Sequence, residues 1–190
     1  MGEHCHCGCN HEHHHDDAQH FESMYDQALA LYDFNIKDED VKEAVKKIIA
    51  EKVPENDTPE VKKFMFGSIE LTTLTTQDSA ESVLKLVEKV NDFAHEYPDM
   101  PHVATIVTYP RFAKLVAESC EVEGVIPTVV SGTFPSSQAL MEIKVAETAL
   151  AIKDGAKNVD IVMHVGQFLS GDYETVCDEI REQKATCGKV

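Results

Sequence analysis

Positive charge is scarce in this sequence. Seventeen lysines and arginines stand against 34 aspartates and glutamates, for a net charge of −17. A surface of that sign repels phosphates, so nucleic-acid partners are excluded. Long apolar runs are missing too, and no stretch approaches the ~18 residues of a membrane span. No apolar core follows a basic start, as a signal peptide requires. A cytoplasmic location is therefore the expectation. Neither a glycine-rich dinucleotide fingerprint nor a phosphate loop follows the first strand candidate. Cysteine is uneven: Cys5, Cys7 and Cys9 crowd the start, and Cys120, Cys177 and Cys187 are scattered. Long periodic segments do not suit a disulfide scaffold, so all six read as thiols.

What is present divides into three parts. Residues 1–20 hold seven of the ten histidines and read as a disordered tail. Residues 21–66 read as short helices. Residues 67–190 alternate strand and helix patterns.

In the second part Val41, Ala44, Val45, Ile48, Ile49 and Val53 fall at helical spacing. Pro54 is expected to stop that helix. Pro59 suits the first turn of another. In the third part strands are expected at Ser68–Leu71, Val103–Val107, Val125–Val130 and Val159–Met163. Asp78, with Glu81 three residues on, is the expected cap of the first intervening helix. Pro110 opens the second. The third runs over residues 137–153 and ends at Gly155. Tyr173, Val176, Cys177 and Ile180 mark the fourth, closing near Gly188. Apolar β-branched strands alternating with helices point to a parallel sheet with right-handed crossovers. An open doubly wound sheet and half of an eight-stranded barrel both satisfy this pattern.

Residues 4–15 are a separate matter. His4, Cys5, His6, Cys7, Cys9, His11, His13, His14 and His15 interleave thiolates and imidazoles, ligands suited to zinc, nickel or copper. Their spacing is too tight for a zinc finger, so the expectation is metal binding on the tail without a fold around it.

Particular strings go further than periodicity. Ile69-Glu70-Leu71-Thr72-Thr73-Leu74 closes the first strand, and Thr108-Tyr109-Pro110-Arg111-Phe112 follows the second. Ser131-Gly132-Thr133-Phe134-Pro135-Ser136-Ser137 follows the third. Val159-Asp160-Ile161-Val162 forms the fourth, with Ser170-Gly171-Asp172-Tyr173 beyond it. In this order and spacing, residues 60–190 strongly resemble the deoxyribose-phosphate aldolase family.

The resemblance implies a TIM (β/α)8 barrel, here about its first four βα units, and a class I aldolase needing no cofactor. In that family a lysine on the sixth strand forms a Schiff base with acetaldehyde. The enamine adds to glyceraldehyde 3-phosphate, giving 2-deoxyribose 5-phosphate, and the reaction also runs as cleavage. The implied partners are these three compounds, with a homo-oligomer left open. Asp160 matches the family's proton-relay acid. Glu70 stands where the family usually has an aspartate near a substrate hydroxyl, one methylene longer; its bland alternative is a carboxylate bonded to Thr72 or Thr73. Val107 replaces a cysteine often seen there. The family's active-site lysines have no match in residues 1–190, so the sequence reads as an N-terminal aldolase portion, inactive alone. Two alternatives stay open: a metal-binding protein using the tail, or a non-catalytic partner of a full-length aldolase. Tyr109, Arg111 and Phe134 are expected to pack, Lys144 and Glu147 to form a surface pair, and His164 to be structural.

Overall fold

The computed structural model describes residue 25, residues 30–33 and residues 35–189. The tail ligands of residues 4–15 lie outside the described residues. Contacts divide the chain into a unit of residues 1–33 and one of residues 34–190. Every helix and strand among the described residues belongs to the second.

Helix α1 spans Asp38–Asn56 and α2 spans Pro59–Phe66. Pro54 does not stop α1; it lies inside the last turn, where a proline costs one hydrogen bond. The helix ends two residues later, with the Asn56 side chain donating to the Lys52 carbonyl at 2.8 Å. The apolar stripe of α1 is present, but none of its residues is buried. In α2, Pro59 takes the first turn as expected, and the Thr58 hydroxyl caps the Val61 amide at 3.2 Å.

Four βα units follow. Strand β1 is Glu70–Thr72 and α3 is Ala80–Glu96. β2 is Thr105–Thr108, leading through a 3-10 turn at Pro110–Phe112 into α4, Ala113–Ser119. β3 is Ile126–Ser131 and α5 is Met141–Lys153. β4 is Asn158–Ile161, followed by a short α6, Val165–Ser170, and by α7, Tyr173–Cys187. The strands pair in chain order, all parallel. Each successive pair is joined by a helix, as parallel strands require.

Three further readings are corrected. The cap of α3 is Ser79, not Asp78: its hydroxyl accepts from the Ser82 amide, and the Ser82 hydroxyl accepts from the Ser79 amide. Helix α5 starts at Met141 rather than 137, because residues 132–140 form a loop with left-handed backbone at Gly132, Thr133 and Ser137. Helix α6 lies where the sequence reading placed none.

Register decides which side chains share a face. Leu71 pairs with Ile106, so both point the same way. That face meets the helices. Ile106 packs with Val83, Val87 and Val90 of α3 and Phe112 and Val116 near α4. Val129 packs with Ala113, Ala151 and Ala156. Burying a side chain of this size stabilises by about 1.5–3 kcal/mol. The opposite face carries Thr72 beside Val107, and Val130 beside Asp160. In a (β/α)8 barrel that second face is the interior, and chemistry collects at the C-terminal strand ends.

Candidate active site

A cavity of about 510 Å³ opens at those strand ends. Thr72 and Leu74 come from the end of β1, Val107 from β2 and Val130 from β3. Asp160 to Met163 come from β4 and the chain just beyond it, and Phe134 and Val165 close the rim. Asp160 is the one ionisable residue among these lining residues. Burial pushes its carboxyl above the ordinary aspartate range, and the negative charge of Glu70 adds to the rise. The structure therefore brings the two sequence candidates within electrostatic reach.

Glu70 itself is exposed at the start of β1. Its bland alternative takes a different form from the one expected. The Thr72 hydroxyl donates to the Glu70 main-chain carbonyl at 2.9 Å, and the Thr73 hydroxyl donates to Asp78 at 2.8 Å.

Each loop at the rim has its own anchor. The Asp78 carboxylate accepts from Thr73 Oγ1, from the Thr75 amide and from Thr75 Oγ1. Burial pushes this carboxyl up, but the hydrogen bonds from Thr75 and Thr73 together outweigh it and hold the group below its usual range. Tyr109, expected to pack, also donates its hydroxyl to the Leu74 carbonyl at 3.0 Å. Arg111 lies over the Phe112 ring at 5.1 Å. His164 Nδ1 accepts from the Gln167 amide at 3.2 Å and caps α6.

Phe134 forms part of the cavity wall. One expectation at the site is overturned: Lys144 and Glu147 are no surface pair. Lys144 is 0% exposed and joins Glu179 of α7 at 2.7 Å. Glu147 turns toward β3, where Oε2 accepts from Ser131 Oγ at 3.2 Å and from the Thr133 amide at 2.8 Å. The sequence reading missed Leu74, Met163 and Val165. They follow strand ends, and nothing in their local pattern separates a cavity wall from a core residue.

Among the described residues, no group of three histidines, cysteines or acids could hold a metal ion, and no helix is long and apolar enough to cross a membrane. Among the described residues, no lysine lines the cavity.

The raised carboxyl of Asp160 sets a pH dependence. A folded-state value above the unfolded one favours the fold at low pH, and that contribution is lost as pH rises through the folded value. Stability therefore declines as pH rises out of the acid range. Asp160→Asn is expected to melt at a higher temperature than the parent at pH 7 and at the same temperature at pH 3, as calorimetry would show.

Comparison with known proteins gives this geometry a family. A family model described as DeoC/LacD family aldolase matches residues 65–190. A deoxyribose-phosphate aldolase of Clostridium botulinum is 34% identical over 114 residues, covering 60% of this chain and 50% of that protein. The Homo sapiens deoxyribose-phosphate aldolase is 27% identical over 139 residues, 64% of this chain and 41% of that one. The chain thus spans about half the length of the curated relatives it matches. Among solved structures, an aldolase called QR15 superposes with a TM-score of 0.57 at 23% identity, covering 70% of this chain and 53% of its own. A deoxyribose phosphate aldolase from Aeropyrum pernix, described as tetrameric, superposes with a TM-score of 0.50 at 23% identity, covering 66% and 50%. These two likenesses show the fold: the parallel sheet and its helices are part of a (β/α)8 barrel. By the match over residues 65–190, the chain belongs to the DeoC/LacD family of aldolases.

Proposed function

We propose that this chain supplies the acid side of a deoxyribose-phosphate aldolase site. The observation that carries the reading is Asp160, a carboxyl in an otherwise uncharged cavity wall at the C-terminal ends of parallel strands. Burial and Glu70 both favour its protonated form.

Class I aldol chemistry needs that kind of group. A lysine amine adds to the acetaldehyde carbonyl to give a carbinolamine. Its hydroxyl leaves as water only when a proton is delivered to it, and the iminium then loses a proton to become the enamine. Enamine carbon attacks the aldehyde of glyceraldehyde 3-phosphate, whose oxygen takes up a proton as the carbon–carbon bond forms. Raising a carboxyl's pKa brings it closer to the pH at which such transfers run and makes it a better acid–base group for each of them. Asp160 is assigned this relay, and Glu70 the contact with a substrate hydroxyl.

The amine is assigned to none of residues 1–190. Lys144 is buried in its pair with Glu179 behind the sheet. Lys153 ends α5, Lys157 precedes β4, and Lys184 lies on α7. Residues 4–15 are assigned metal binding unconnected with the aldol step, which runs without a metal.

Complementation tests the reading. Residues 1–190 would be coexpressed with the part of the Clostridium botulinum aldolase that this chain does not cover. The reconstituted protein is expected to release acetaldehyde from 2-deoxyribose 5-phosphate, to lose about 100-fold or more of that rate in Asp160→Asn, and to keep it in EDTA. Activity unaffected by Asp160→Asn would remove the assignment.

A further inference from the structure

Thr133 adopts a conformation that β-branched residues avoid. Its φ is 59°, directly after Gly132 at 76°, and Ser137 in the same loop has φ 54°. Such a turn persists only where its surroundings hold it. Here the hold comes from α5. The Glu147 Oε2 atom accepts both the Thr133 amide, at 2.8 Å, and the Ser131 hydroxyl, at 3.2 Å. Ser131 is itself buried, its hydroxyl oxygen 2.7 Å from that of Thr148, which in turn lies 3.0 Å from the Lys144 carbonyl. At its far end the loop is tied to the chain just beyond the strand that carries the acid: buried Ser137 donates to the Val162 carbonyl at 3.1 Å. Between the two ties stands Phe134, a wall of the cavity that Asp160 also lines.

We propose that Glu147 is a positioning residue: by holding the Thr133 turn through one carboxylate oxygen, it sets Phe134 as the wall that shields Asp160 from water. The proposal rests on the reading of this cavity as the reactive site. It assigns Glu147 a task by the place of an oxygen atom rather than by charge. The charges that bear on Asp160 support this: Glu70 acts on it from β1, and among the described residues Asp160 is itself the one ionisable group lining the cavity.

Two variants separate position from charge. Glu147→Gln keeps an acceptor oxygen at the same reach and removes the charge. Glu147→Asp keeps the charge and withdraws the oxygen by one methylene. Nuclear magnetic resonance on the full chain reads two quantities in each, the exchange rate of the Thr133 amide and the titration midpoint of the Asp160 carboxyl. In Glu147→Gln, slow exchange and an elevated Asp160 midpoint are expected to persist. In Glu147→Asp, amide exchange should accelerate about 10-fold or more, because the withdrawn oxygen no longer reaches the Thr133 amide. The Asp160 midpoint should fall toward that of an ordinary carboxylate as water enters beside Phe134.

The proposal is overturned if the aspartate variant matches the parent, or if the glutamine variant loses as much as the aspartate one or fails to fold. It is also overturned if Thr133 exchange accelerates while Asp160 titrates as before, since Glu147 would then hold a loop without shaping the cavity. Neither readout involves turnover. Failure of the aldolase reading would appear only in the complementation rates, and failure of this proposal only here.

Discussion

Glu179→Ala is expected to destabilise the fold by about 3–5 kcal/mol, the usual cost of stripping a buried charge of its partner. The Lys144 ammonium has no exposed surface, and its 2.7 Å contact is with a carboxylate that is only 17% exposed. Removing the carboxylate strands the cation inside the protein. The reciprocal change is milder. Lys144→Met fills the same channel with an apolar chain and leaves Glu179 close enough to the surface to hydrate, so a loss below about 2 kcal/mol is expected. Urea denaturation of the two single variants and the double variant Lys144→Met/Glu179→Leu tests the asymmetry. The double variant should lie nearer to the parent than Glu179→Ala does. Equal losses in the two single variants would mean the charge is not buried in the way described. The pair matters to the site because it joins α5 to α7 behind β3 and β4, the strands whose ends carry Val130 and Asp160.

The same helix shows where the sequence could and could not be read. In α5 the buried positions are Lys144, Thr148 and Ala151. Leu140, just before the helix, and Leu150 within it are 74% and 59% exposed. Periodicity arguments assume that apolar residues mark the inner face, and this helix inverts the rule. Its inner face is a polar network built to hold a loop and a neighbouring helix. Polar residues at i, i+3 and i+4, here Lys144, Glu147 and Thr148, were the available sign, and it also fits a surface ion pair. Inner and outer faces are told apart only by tertiary contacts, which local spacing does not encode.

Elsewhere local chemistry sufficed. The four strands fall within a residue or two of their apolar β-branched runs, since a parallel strand covered by helices has to be apolar on that side. Pro59 and Pro110 open helical turns because a first-turn residue needs no amide partner. Asp160 stood out as a carboxylate inside an apolar strand, where an isolated charge is costly. Asp78 misled for a physical reason. An acid before a helix caps it or ties the preceding loop, and the hydroxyls of Thr73 and Thr75 favoured the loop, leaving Ser79 and Ser82 to close the helix end between themselves. The stripe of α1 was legible as a stripe, while its exposure follows from what packs nearby rather than from its own spacing.

The central claim is a division of chemistry: residues 1–190 furnish scaffold and acid, and the carbonyl-binding amine is not among them. Incubating the full chain with acetaldehyde and borohydride, followed by intact-mass and peptide spectrometry, tests it most directly. Reduction converts any lysine imine into a stable ethyl amine, adding about 28 Da, and aldolase lysines form such imines because their neutral amine is favoured. The account predicts that no lysine of the folded chain is modified above the level seen in the urea-unfolded chain. Stoichiometric, site-specific ethylation of one lysine in the folded chain, blocked by 2-deoxyribose 5-phosphate, would contradict it.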